Sequence, residues 1–181
     1  MGTKYPSLEP QHIEFIEKQP FFLVGTAPDE GYINLSPKGL DSLRIIDANH
    51  VHWLNLTGSA NETAAHLLEN SRLTMMFCAF TGDPLILRLY GHAQILTPSN
   101  PLWESSLSHF PLSAGARQII AMHIELVHTS CGFGVPLMQY QGQREQLPRW
   151  IEKKGEAGIR EYQKRNNTVS INGKPTDIQP D

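Results

Sequence analysis

The sequence predicts a mainly β domain, a small antiparallel barrel, closed or nearly closed, with a few peripheral helices. Three observations lead there. Six or so short strand-like segments follow one another through short turns. Few stretches carry helical periodicity. Neither GxGxxG nor GxxxxGK[ST] occurs, so a doubly wound nucleotide fold has no support.

Taken in order, Ser7 can cap a short helix in which Leu8, His12, Phe15 and Ile16 share one face, ending at Pro20. FFLVGTA and YINLS are strands around the turn Pro28-Asp29-Glu30-Gly31. RIID and VHWLNLT, split by Asp47-Ala48-Asn49-His50, form a second hairpin. NETAAHLLEN is helical, with Ala64, Leu67 and Leu68 spaced for burial. RLTMMFCAF and LILRLYGHAQIL flank Thr81-Gly82-Asp83-Pro84 as a third hairpin. Asn100-Pro101 opens another helix, since Pro suits the first helical position. RQIIAMHIELVHTS alternates as a strand and CGFGVP is a loop. PRWIEKKGEAGIREYQKR is a polar helix interrupted at Gly155 and Gly158, and the tail NNTVSINGKPTDIQPD reads as irregular.

A chain of 181 residues suits one domain, with a barrel core over about 10–140 and a helical extension over about 144–181. Its apolar share of 40% and charged share of 18% are those of an ordinary globular protein. No apolar run spans a bilayer and the N-terminus has no signal-peptide pattern, so a cytoplasmic location without membrane partners is expected. Cys78 and Cys131 make neither a disulfide framework nor a zinc site. A net charge of −3 argues against a nucleic-acid partner gripped through its phosphates. The distribution of cations says more. Between Gln19 and Gln143 stand only Lys38, Arg44, Arg72, Arg88 and Arg117, whereas eight lie between Arg144 and Lys174. A cation in the middle stretch needs a reason.

Three segments can carry chemistry. In INLSPKG a strand ends in Ser36, followed by Pro37, the lone Lys38 and Gly39, which together can offer a hydroxyl, an ammonium and backbone N–H groups to one anion. Alternatively it is a tight turn with a solvated lysine. In LTGSANETAAH, Ser59 and Glu62 form the Ser-x-x-Glu pattern of a capping box. The same strand, glycine turn and helix start make a seat for phosphate, with Gly58, Asn61 and Thr63 as donors. In LILRLYG, Arg88 lies amid apolar neighbours and calls for an anionic partner, either a ligand or a carboxylate such as Asp83 or Glu62. His50 and His52 share a strand face, and His123 and His128 lie five apart. No HExxH or Cys/His cluster accompanies them, so no metal is expected. Cys78 falls in an apolar strand, and Cys131 has no recognisable base.

In order, FFLVGTAP, INLSPKG, LTGSANETAAHLLEN, LTMMFCAF, LILRLYG, SCGFGVP and WIEKKG resemble the pyridoxamine 5′-phosphate oxidase-like, FMN-binding split-barrel superfamily, over about residues 10–175. The resemblance implies a six-stranded Greek-key split barrel, a homodimer, and FMN at the subunit interface. The true oxidases hold flavin with an Arg-rich strand ending in lysine, then a Tyr-Thr strand end leading into Ser-Arg-Lys at a helix start. Lys38 matches that lysine, while Ile33 stands where the arginine would be. Leu56 and Thr57 match the strand end, and Asn61, Glu62 and Thr63 replace Ser-Arg-Lys. Two phosphate-binding cations are therefore missing, and Arg88 is the candidate replacement. The oxidases' C-terminal substrate-binding arginine motif has no placed counterpart.

The resemblance thus implies an FMN-dependent oxidoreductase acting with a small-molecule substrate or electron donor. Lys38, Arg88 and the N–H groups near Asn61–Thr63 would hold the phosphate, Ser36 would stand beside them, and Trp150 of a second subunit would cover the ring. The alternative is a non-catalytic module for flavin, deazaflavin or haem, since one barrel hosts many functions.

Overall fold

The computed structural model describes residues 2–178. In chain order it contains β1 (Thr3–Tyr5), α1 (Pro10–Glu17), β2 (Phe22–Thr26), β3 (Asn34–Lys38), β4 (Leu43–Ile45) and β5 (His50–Leu56). There follow α2 (Glu62–Leu67), β6 (Arg72–Cys78), β7 (Ile86–Leu96), α3 (Trp103–Leu107), β8 (Ala116–Ser130) and α4 (Gln146–Asn166). All strands join one antiparallel sheet in the order β3-β2-β6-β7-β8-β5-β4, with β1 added beside β8. This curled sheet is the split-barrel architecture expected, with eight described strands instead of six.

β8 is the spine. Its 15 residues pair with β7 from Ile119 to Ser130; on the other side β5 takes Ala116 to His123 and β1 takes Val127 to Thr129. The extra strand β1 thus occupies the edge that β5 leaves open. A bulge between Tyr90 and Gly91 lets the long ladder bend. Only glycine fits there, because a Cβ on residue 91 would lie 1.9 Å from the His123 carbonyl oxygen.

The strands at the two ends of this order, β3 and β4, are linked by the loop 39–42, and the sheet curls around an aromatic centre. Trp53 of β5 meets Phe22 of β2 edge-on at 6.4 Å, and Phe22 stacks on Phe77 of β6 at 5.8 Å. Val24, Val51, Met75, Leu87, Leu89 and Ile124, all fully buried, complete the filling. A second apolar cluster, including Leu54, Leu96, Trp103, Phe110 and Ile119, covers the other face of the sheet where α3 packs.

Several local expectations shift. α1 starts at Pro10 with Glu9 as its N-cap, not Ser7, because Pro10 takes the first helical position and the Glu9 amide donates to His12 Nδ1. β3 does not stop at Ser36: Pro37 and Lys38 stay in the ladder with β2, which an edge strand permits since the missing N–H faces outward. α3 begins at Trp103, after Asn100 Oδ1 has accepted the Leu102 amide. In α4 only Gly155 breaks the helix, with φ of 66°, while Gly158 stays helical. The tail is not loose. It closes a small bridge between Val169 and Pro175 and buries Asn167 and Thr176 completely. No helix among the described residues is long and apolar enough to cross a membrane.

Candidate anion site

A pocket of about 220 Å³ opens between β3, the end of β5, the turn into α2, and the start of β8. Along β3 the side chains alternate, so Asn34, Ser36 and Lys38 face one way, half-buried, while Leu35 and Pro37 face solvent. Lys38 Nζ lies over the Trp53 ring, 4.7 Å from its centroid. Burial, and secondarily the charge of Arg117, push the Lys38 ammonium down to about 8. No carboxylate among the described residues pairs with it.

Arg117 is the second cation. Asn55 pairs with Gln118 and Leu56 with Ala116, so Arg117 is the extra residue of a β-bulge, and the bulge aims its side chain into the pocket. It is only 7% exposed. Its Nη2 donates to Asn55 Oδ1 at 3.1 Å and to the Ala60 carbonyl at 2.8 Å, while Nε and Nη1 are buried without a partner among the described residues. Burial pushes its guanidinium down to about 10. A buried amide network fixes this corner. Gln118 Oε1 accepts from Asn61 at 2.9 Å and from Asn55 at 3.3 Å, and Gln118 Nε2 donates to the Thr176 carbonyl at 2.7 Å.

The residues singled out in the sequence separate into two groups. Ser36, Lys38, Leu56, Gly58, Asn61, Glu62 and Thr63 all line this pocket. Thr57 lies behind it, fully buried, its Oγ1 donating to the Gly115 carbonyl and accepting from Gln163 Nε2. The capping box does not form. Asn61 is the N-cap and Glu62 opens α2, and Glu62 Oε1 instead accepts the Ile171 amide of the tail at 3.0 Å. With six residues, α2 is too short to offer much dipole, so the positive potential comes from side chains. Arg88 does not supply it: from β7 its Nη1 donates to Ser130 Oγ at 3.0 Å, and it does not line the pocket. The cation that lines the pocket beside Lys38 is Arg117. Trp150, on α4, is not in the pocket lining of its own chain; it packs edge-on against Tyr162 at 4.9 Å, with Lys154 over both rings.

A family model described as pyridoxamine 5′-phosphate oxidase matches residues 8–131. A curated relative, the pyridoxamine 5′-phosphate oxidase family protein ustO of Aspergillus flavus, is 34% identical over 97% of this chain and 78% of its own. Among solved structures, HupZ from Group A Streptococcus superposes with a TM-score of 0.53 at 19% identity, covering 66% of this chain and 91% of that one. A putative pyridoxamine 5′-phosphate oxidase from Lactobacillus delbrueckii gives 0.53 at 16% identity, covering 68% and 94%. These two likenesses are of fold.

Proposed function

The chain belongs to the pyridoxamine 5′-phosphate oxidase family, and from that premise we propose that its charged pocket seats the phosphate of flavin mononucleotide in a flavin-dependent oxidoreductase. One observation carries the reading: Lys38 and Arg117 share a small pocket, and no described carboxylate pairs with either. Buried charges are ordinarily paired, and an unpaired one is costly. Two such cations that repel one another favour an anionic ligand.

The residues fit a phosphate. Arg117 retains two unused donors, Lys38 has an ammonium free of other hydrogen bonds among the described residues, and Ser36 and Thr63 add hydroxyls at the wall. Phosphate is a strong multivalent acceptor for such groups. The volume of about 220 Å³ suits a phosphoryl end and not a whole flavin, since drug-sized ligands occupy roughly 300–1,000 Å³. A cleft of about 440 Å³ adjoins it across Leu56, with Leu40, Leu54, Pro148 and Ile151 in its lining. A second copy of the chain then covers the ring, in a homodimer that sediments at twice the 20.3 kDa chain mass.

When bound, flavin supplies hydride and electron transfer. The chain's own residues supply binding and orientation. Lys38 and Arg117 neutralise the phosphate, and the Asn55–Asn61–Gln118 network holds Arg117 in place. Glu62 also lines the pocket. Its Oε1 accepts the Ile171 amide, while its buried Oε2 has no partner among the described residues, so the phosphate is held against one nearby carboxylate by the two cations. Titration of apoprotein with FMN quenches flavin fluorescence and saturates near one per chain. Absence of binding at roughly millimolar FMN, which allows only about −4 kcal/mol, rejects the reading.

A further inference from the structure

A second cluster lies apart from this pocket, and the flavin reading does not use it. His50 on β5 and His123 on β8 are directly opposed in the ladder, both exposed to solvent. They stand 73 positions apart, so no local motif announces the pair, and only the strand register brings them together. His50 Nε2 and His123 Nδ1 are 3.1 Å apart, with ring centroids at 4.9 Å. Behind His50 stands Asp47, whose two carboxylate oxygens each lie 2.9 Å from His50 Nδ1. Asp47 is itself held by the Asn49 amide at 2.8 Å.

We propose that His50 and His123 form a cross-strand chelate for a late first-row divalent cation, with Asp47 fixing His50 in the ligating tautomer. The distances suit the chemistry. Two imidazole nitrogens, each about 2.0–2.1 Å from one cation, lie roughly 2.9–3.4 Å apart between square and tetrahedral angles. The carboxylate keeps the His50 proton on Nδ1, so the Nε2 lone pair faces His123, and such a carboxylate behind a histidine ligand strengthens it. A modest turn of two exposed rings brings both lone pairs to a common point. His92 on β7 extends the row opposite His123, but it is engaged by Ser71 Oγ at 2.7 Å and stands 3.5 Å from Glu125. No three His, Cys, Asp or Glu side chains converge on one cation among the described residues, so water completes the coordination. Cu(II) heads the affinity order for nitrogen ligands and is the probe of choice.

Copper(II) chloride is titrated into the whole protein in competition with a weak chelator and followed by electron paramagnetic resonance. One tightly bound ion per chain is expected, with hyperfine structure from two imidazole nitrogens. His50→Ala and His123→Ala each remove one nitrogen and lower affinity at least about tenfold, and Asp47→Asn lowers it roughly 10- to 100-fold. His128→Ala, which alters a histidine outside the pair, leaves it unchanged. The two ligand rings are solvent-facing, and circular dichroism of each variant shows that the fold is kept. Full-strength binding in His123→Ala, or an equal loss in His128→Ala, overturns the proposal. Neither outcome touches the flavin reading, because neither histidine lines the anion pocket.

Discussion

The two ends of β8 each meet an arginine, and the two arginines live in different surroundings. At the N-terminal end Arg117 is a bulge residue, 7% exposed, with two of its nitrogens unused. At the C-terminal end Arg88, from the neighbouring β7, is half-buried and rests on Ser130 Oγ. The first is held by the Asn55 side-chain amide and the Ala60 backbone carbonyl, which cannot neutralise it. The second keeps contact with solvent. The same charge is therefore an unmet demand at one end and an ordinary polar contact at the other, and only the first points to an anion.

Replacing Arg117 tests that contrast at its strongest. Arg117→Met removes the charge and leaves the phosphate without its buried partner. Truncation of one member of a buried, hydrogen-bonded charge pair costs about 2–5 kcal/mol, so FMN affinity falls at least roughly 30-fold. A fluorescence titration reads it directly. A change below about threefold means that the phosphate is held elsewhere.

Much of this is legible in the sequence, and the part that is not has a structural cause. The hairpins announce themselves through Pro28-Asp29-Glu30-Gly31, Asp47–His50 and Thr81–Pro84, where turn chemistry and alternation agree. Seven of the ten singled-out site residues line one pocket because they sit on a strand and a turn that converge in this fold. The sequence marks Arg117 only as a cation needing a reason. Alternation cannot assign it a face, since a bulge breaks the period of two at that residue. The strand that sets the bulge carries Asn55, 62 positions earlier. The tail hides for a similar reason. Asn167 and Thr176 are polar, and their burial depends on partners at Gly58 and Gln118 that no local pattern reveals.

Lys38 should show a smaller effect on affinity, together with a gain in stability. Lys38→Met keeps much of the stem and removes charge and donors, so FMN affinity falls roughly 10- to 150-fold, from about 1.5–3 kcal/mol. Riboflavin, which lacks the phosphate, binds both proteins alike. The ligand-free variant is the more stable one. Lys38 titrates at about 8 in the folded chain against an ordinary value of 10.5, so the folded state carries the full cost of the charge below pH 8. As pH rises from 8 to 10.5 the folded chain sheds that proton before the unfolded chain does, and wild type gains stability relative to the variant. Discounted for solvent screening, the variant's advantage at neutral pH is of order 1 kcal/mol, or about 2–4 °C in Tm. If Lys38 holds the phosphate as proposed, the same proton governs binding. Above pH 8, FMN affinity in wild type falls by up to about tenfold per unit, because a neutral amine loses its attraction for a phosphate that is already dianionic. In Lys38→Met that slope is absent.

The smallest effect is expected at the other end of β8. Arg88 holds one hydroxyl, Ser130 Oγ at 3.0 Å, on a part of the sheet that does not line the pocket. Arg88→Met therefore costs about 1 kcal/mol of stability, seen as a Tm lower by roughly 2–4 °C, through loss of that hydrogen bond. FMN affinity is expected to stay within about threefold, because in the proposed site Lys38 and Arg117 hold the phosphate and the charge removed is screened by solvent. Measured beside Arg117→Met, the pair of variants sets the two ends of one strand against each other in the same titration. A loss as large as that of Arg117→Met carries a specific meaning. The β7 end of one copy then completes the pocket of another, and the contrast between two ends of a strand becomes one between two subunits. Mixing Arg88→Met with Arg117→Met protein separates these cases. Heterodimers regain one intact pocket only if the two arginines serve the same site from different chains.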